Sequence, residues 1–108
     1  MPSAPNSRQL TNTEIRLAEQ YVSVLDFVSR CAQAVEEGNW YYLLDKSRQL
    51  EDAAERLQGI AGEAYEATRA GRRPRADAVR AAVAWFGRHY RAARLLHPLE
   101  QAGEGGER

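Results

Sequence analysis

An all-α fold is predicted for this chain: an antiparallel, up-down-up bundle of three long helices with disordered termini. Three observations predict it. Apolar residues recur at alternating spacings of three and four over long stretches. Only two short breaks, at Gly38 and around Gly71–Pro74, interrupt that period. No segment alternates apolar and polar residues at the strand period, and no Asn-Gly hairpin signal occurs. The 108 residues form one domain with one modest core. Its expected parts are a disordered segment 1–9, a helical bundle 10–97 and a flexible tail 98–108.

Helix 1 starts at a capping box. Thr11 is placed to cap and Glu14 to reach back from the third helical position, with Leu10 and Ile15 at the positions of a hydrophobic staple. It runs to Glu37 and stops at Gly38. Its stripe is Leu17, Tyr21, Val24, Val28, Cys31 and Val35. Asn39 caps helix 2, which extends to about Ala70 and stops at Gly71. Its stripe is Leu43, Ser47, Leu50, Ala54, Leu57, Ala61, Ala64 and Thr68. Pro74 is placed to open helix 3, which runs to about Leu96, where Pro98 discourages further helix. Val79, Val83, Phe86, Tyr90 and Ala93 form its stripe.

Charge is segregated within a chain of formal net charge zero. Residues 69–97 hold eight arginines and one acid, Asp77, whereas residues 10–68 hold five basic and eleven acidic residues. A basic segment of this kind faces a polyanion, an acidic partner or its own acidic neighbours. Lys46 is the only lysine, which points to the codon bias of a GC-rich, bacterial genome as much as to phosphate recognition. The acidic face of helix 2 is an available counter-charge for the arginines. Its Arg48, Asp52 and Arg56 are spaced for i,i+4 pairs.

Three surfaces stand out. Helix 1 is apolar over about two-thirds of its circumference, more than a three-helix core needs. A homo-oligomer that covers Ile15, Val22 and Phe27 is therefore expected. Helix 2 opens with Trp40-Tyr41-Tyr42-Leu43-Leu44, too many large residues to point inward together. Tyr41 and Leu44, with Arg88, Arg91, Arg94 and Leu95, form a candidate partner-binding end. Arg72, Arg73, Arg75, Arg80, Arg88, Arg91 and Arg94 are the candidate nucleic-acid contacts, and such binding would weaken steeply with salt. Gly59 and Gly62 lie on the outward face of helix 2. They are tolerated weak points or places where another chain comes close.

The chain offers little for catalysis. Cys31 is alone, so no intrachain disulfide or cysteine zinc site forms, and it reads as a small apolar residue. His89 and His97 lack a ligand-spaced carboxylate or cysteine, and His89 reads as a core or interface histidine. No metal, cofactor or catalytic residue is assigned. The N-terminal MPSAPNSRQ lacks the apolar core of a signal peptide, and the longest apolar run, residues 81–86, is too short to span a bilayer. A cytoplasmic protein without membrane contact is expected.

Arg91-Ala-Ala-Arg-Leu-Leu-His97 resembles the arginine–histidine signature of the HEPN ribonucleases, which are small helical bundles. Membership would imply a dimer with Arg91 and His97 of two subunits around RNA. Ala92 departs from the polar residue that usually follows the arginine, and His97 precedes Pro98. The leading expectation is a non-enzymatic helical bundle that acts through protein contacts, self-associating, in a regulatory or assembly role. The alternatives are a nucleic-acid-binding regulator and, more remotely, the ribonuclease.

Overall fold

The computed structural model describes residues 10–95, with side chains for residues 10–89. The expectations for residues 1–9 and 96–108, His97 included, lie outside the described residues. So do those for the side chains of Tyr90, Arg91, Ala93, Arg94 and Leu95.

Three α-helices follow in order: α1 Asn12–Glu37, α2 Trp40–Arg69 and α3 Ala76–Leu95. No strand occurs among the described residues. The predicted capping box at the start of α1 is formed. The Glu14 backbone N–H donates to the Thr11 hydroxyl at 3.1 Å, and the Thr11 N–H donates to the Glu14 carboxylate at 3.0 Å. At the far end Gly38 adopts the left-handed conformation with φ 67°. Its N–H donates to Val35 O, and that of Asn39 to Ala34 O, which satisfies the last carbonyls in a Schellman pattern. The same pattern closes α2: Gly71, with φ 83°, donates to Thr68 O and Arg72 donates to Ala67 O. Asn39 caps α2 by accepting from the Tyr42 N–H. Helix α3 opens two residues later than Pro74 allows. The Arg75 carbonyl accepts its first helical bond, from Val79 N–H, while the Arg75 N–H, which has no acceptor within the helix, donates to Glu14.

The directions are up, down, up. Arg16 near the start of α1 meets Glu63 late in α2, and Arg30 late in α1 meets Tyr42 early in α2. Arg75, just before α3, meets Glu14 at the start of α1. Helix α1 packs against both others, whereas α2 and α3 do not pack against each other among the described residues. The bundle is therefore open, a plate with α1 in the middle. It measures 48 × 33 × 14 Å, and its radius of gyration is 16.1 Å. A compact chain of this length has about 13 Å.

The α1 stripe takes on a new role in this geometry. Set Leu17 at zero on a wheel of about 100° per residue. Arg16 and Ala34 then lie near −100°, toward α2, and Ala18 and Val22 lie near +100° to +140°, toward α3. Ala18, Val22 and Ala34 are buried. The stripe predicted as core lies between these directions, on one broad face. Tyr21, Val28 and Val35 of that stripe are 45%, 46% and 53% exposed. In α2 the seam against α1 uses Leu43, Lys46, Leu50, Ala53, Leu57, Ile60, Ala64 and Ala67, all buried or partly buried. Ser47, Ala54, Ala61 and Thr68, the other half of the predicted stripe, lie outside that seam, and Ala54, Ala61 and Thr68 are exposed. The α2 seam is thus turned by about 50° relative to the expectation, and the displaced half of the predicted stripe lies toward the same broad face as Tyr21 and Val28.

Candidate functional surfaces

Glu14 is the one buried charged residue among the described side chains, at 1% exposure. Its capping-box duty holds it at the N-terminus of α1, where the path of residues 72–75 passes. One carboxylate oxygen accepts from the Arg75 backbone N–H at 2.7 Å and Arg75 Nε at 3.0 Å. The other accepts from Arg75 Nη2 at 2.7 Å and from the Thr11 N–H at 3.0 Å. One carboxylate thus satisfies donors at the starts of two helices, where both macrodipoles favour an anion. Its carboxyl is held at about 2, against an ordinary 4.5. The Arg75 side-chain hydrogen bonds are the main cause. Burial opposes them, and the backbone N–H groups of Arg75 and Thr11 and the guanidinium charge reinforce them. The same carboxylate raises the pKa of Arg75. Every acceptor position of Glu14 that faces the protein is used, so this is a structural clasp and leaves no general base. The capping box was readable in sequence, whereas the Arg75 half was not. Its only signal was a basic loop that must return beside an acidic helix start.

The apolar broad face is the second feature. Leu17, Tyr21, Leu57, Val79, Arg80, Val83 and Ala84 line a groove of ≈ 480 Å³ between α2 and α3, floored by α1. Its walls are almost wholly apolar, and Arg80 stands at its rim. Beyond it along α1 lie the exposed Leu25, Val28 and Val35. The opposite α1–α2 groove, ≈ 350 Å³, is lined by Arg16, Glu19, Gln20, Arg56, Gly59, Ile60 and Glu63, so charged side chains stand around it. Arg16 and Glu63 form a two-pronged pair there at 2.8 and 3.3 Å. Charged residues thus stand around the groove on one broad face, and apolar residues line the groove on the other.

The residues nominated for self-association are distributed differently. Val22 is 5% exposed and packed within the plate, and Ile15 and Phe27 are partly buried. The open apolar surface of α1 is instead Tyr21, Leu25, Val28 and Val35. Helix 1 is apolar over so wide an arc because it packs on two sides and remains bare on a third. At the start of α2, Trp40, Tyr41 and Leu44 are exposed, Tyr41 by 80%. Tyr42 is partly buried, receives a 3.3 Å bond from Arg30 and lies beneath the Lys46 ammonium. Tyr41 and Leu44 belong to α2 at one edge of the plate and Arg88 to α3 at the other. No packing between these helices unites them.

The arginines also separate. Arg75 is taken by Glu14, and Arg80 pairs with Asp77 on its own helix. Arg72, Arg73 and Arg88 are exposed and make no ion pair among the described residues. Among the described residues the expected neutralisation of helix 3 by the acids of α2 does not form, because α1 separates the two helices. Nor do Arg48–Asp52 and Asp52–Arg56 close as pairs. His89 is exposed rather than core. Its ring stacks on Trp85 at 3.7 Å between centroids, with Nδ1 3.0 Å from the Trp85 carbonyl. Cys31 is partly buried. Among the described residues no helix is long and apolar enough to cross a membrane, and no three His, Cys, Asp or Glu residues gather as for a metal ion. In comparisons with known proteins the chain matches no family model, no curated protein and no solved structure.

Proposed function

We propose that this chain is a non-enzymatic helical module that works through protein–protein contacts made by its apolar broad face, with self-association as its first expression and a regulatory or assembly role. The observation that carries the reading is the heptad-spaced stripe of α1, left open between α2 and α3. Such spacing is what a packed helix face requires, and large apolar patches on soluble chains mark contact sites. Clustered titratable side chains in a cleft, which an enzyme would need, have no counterpart in this groove. The test is light-scattering mass over a dilution series. Wild type is expected to exceed monomer mass at micromolar concentration. Val28→Asp, which places a charge in the middle of the stripe, is expected to be monomeric with unchanged helix content. A wild type at monomer mass throughout would reject self-association.

The second reading is nucleic-acid binding along the basic edge formed by α3 and residues 72–75. It is favoured by the exposed, unpaired state of Arg72, Arg73 and Arg88 among the described residues. Such binding would be phosphate-driven and steep in salt. An oligonucleotide that leaves the light-scattering mass unchanged at low salt removes it.

A further inference from the structure

We infer that the apolar face is covered by a second copy of this chain, related by a twofold axis that runs along the helices, so that α3 of each copy lies on α2 of the other. This rests on the protein-contact reading above and adds its partner and its orientation.

A plate can pair face to face with its own copy by two simple twofold operations. An axis across the helices lays α2 on α2 and α3 on α3. An axis along the helices keeps α1 on α1 and exchanges the flanks, α2 on α3. Charge selects between them. From residue 70 to 95 the chain carries seven arginines against Asp77, whereas α1 and α2 together are net acidic. The crosswise axis brings two arginine-rich helices together, and the lengthwise axis brings each against an acidic one. Complementary rims steer partners and fix register, and like charges reject the wrong arrangement.

The levels along the plate agree with this choice. Leu17 and Tyr21 share the groove with Val79 and Val83, which sets α3 beside α1 at an offset of 62 residues. By that count Arg80 and Arg88 stand level with residues 18 and 26 of α1. Leu57 in the same groove and the Arg16–Glu63 pair set α2 in the reverse direction. Glu55 and Glu51 then stand near the levels of residues about 21–24 and about 25–28 of α1, with 1.5 Å per residue. A lengthwise twofold preserves level. It therefore brings the partner's Glu51 near the level of Arg88 and the partner's Glu55 between the levels of Arg80 and Arg88 at the rim. Glu51 and Glu55 are exposed and make no ion pair among the described residues. The area also suffices. A standard interface buries about 800 Å² per partner, and about half of a 48 × 33 Å face supplies that.

The experiment is a charge-reversal exchange read by sedimentation or light scattering. One variant carries Arg80→Glu and Arg88→Glu, and the other Glu51→Arg and Glu55→Arg. Each alone sets like charges against each other at both rims, so its self-association is expected to weaken at least tenfold. Mixed one to one, the two variants restore opposite charges at both rims. They are expected to form a heterodimer within a few-fold of wild-type affinity, which also shows that both are folded. Two variants that self-associate as wild type does would overturn the orientation and leave the protein-contact reading standing. Tighter self-association of the arginine-to-glutamate variant would overturn it in favour of the crosswise axis. A wild type that stays monomeric, its face covered by its own residues 96–108 or by a different protein, overturns the second copy altogether.

Discussion

Glu14 shows how much one side chain can settle. It caps α1, receives the backbone N–H of Arg75 and anchors the guanidinium of Arg75, so it fixes where α3 begins relative to α1. The clasp has a pH signature whose sign follows from the pKa. The folded carboxyl titrates at about 2 and the ordinary value is 4.5. Its contribution is fully present above 4.5 and is lost as pH falls from 4.5 through 2. Each tenfold change in proton affinity is worth about 1.4 kcal/mol. The guanidinium is half-exposed and solvent screens it, so the net is on the order of 1–2 kcal/mol. Glu14→Gln is therefore expected to lower stability by about that amount at pH 7. Urea midpoints of wild type and variant should converge as pH falls toward 2. A gap that stays constant from pH 7 to pH 2.5 would show that the charge of Glu14 contributes nothing.

At the scale of the helix, glycines of two kinds give opposite expectations. Gly38 needs its left-handed φ of 67° to close α1 and turn the chain into α2. Gly38→Ala places a side chain where the backbone strains it, and a loss of about 1 kcal/mol is expected. Gly59 and Gly62 lie inside α2 with nothing within 4 Å of an added Cβ. Gly59→Ala and Gly62→Ala should each stabilise by up to about 1 kcal/mol in thermal or urea unfolding and leave the association state unchanged. Destabilisation by either would mean that another chain comes close to that backbone. These ends and breaks were legible from sequence because caps are local: Thr11, Glu14, Gly38, Asn39 and Gly71 act within a few residues of themselves. The faces were less legible. In α2, Leu43, Leu50, Leu57 and Ala64 fit two alternations, one with Ser47, Ala54 and Ala61 and one with Lys46, Ala53 and Ile60. Alanine, serine and the stem of lysine pack adequately on either side of a seam, so the pattern alone could not orient the helix. Likewise the wide apolar arc of α1 showed that it is apolar on more sides than two, but not which side stays half-exposed. Val22 points toward α3 and Val28 toward the open face, and both are valine.

For the molecule as a whole, the openness of the plate together with the proposed pairing predicts that stability depends on concentration. A three-helix layer that buries few large side chains completely has a thin core: among the described residues the fully or nearly buried apolar ones are Ala18, Val22, Ala34, Ala53, Ile60 and Ala82, four of them alanines. Burial of an alanine contributes little compared with the ~1.5–3 kcal/mol of a fully buried leucine or valine. The large apolar groups, Tyr21, Leu25, Val28 and Val35, remain half in water in the single copy. In the pairing proposed above their burial is deferred to association, which would couple folding to pairing. Mass action then makes the melting temperature rise with protein concentration. Each tenfold increase well above the dissociation constant adds about 1.4 kcal/mol to the folded dimer. Calorimetry of wild type across a hundredfold concentration range should show that rise. Val28→Asp should melt lower and at one temperature throughout, because its folded form has no partner to gain. A wild-type melting temperature independent of concentration would mean that the four half-exposed side chains of α1 find their cover within the chain or not at all, and the plate would then have to be stable on its alanine seams alone.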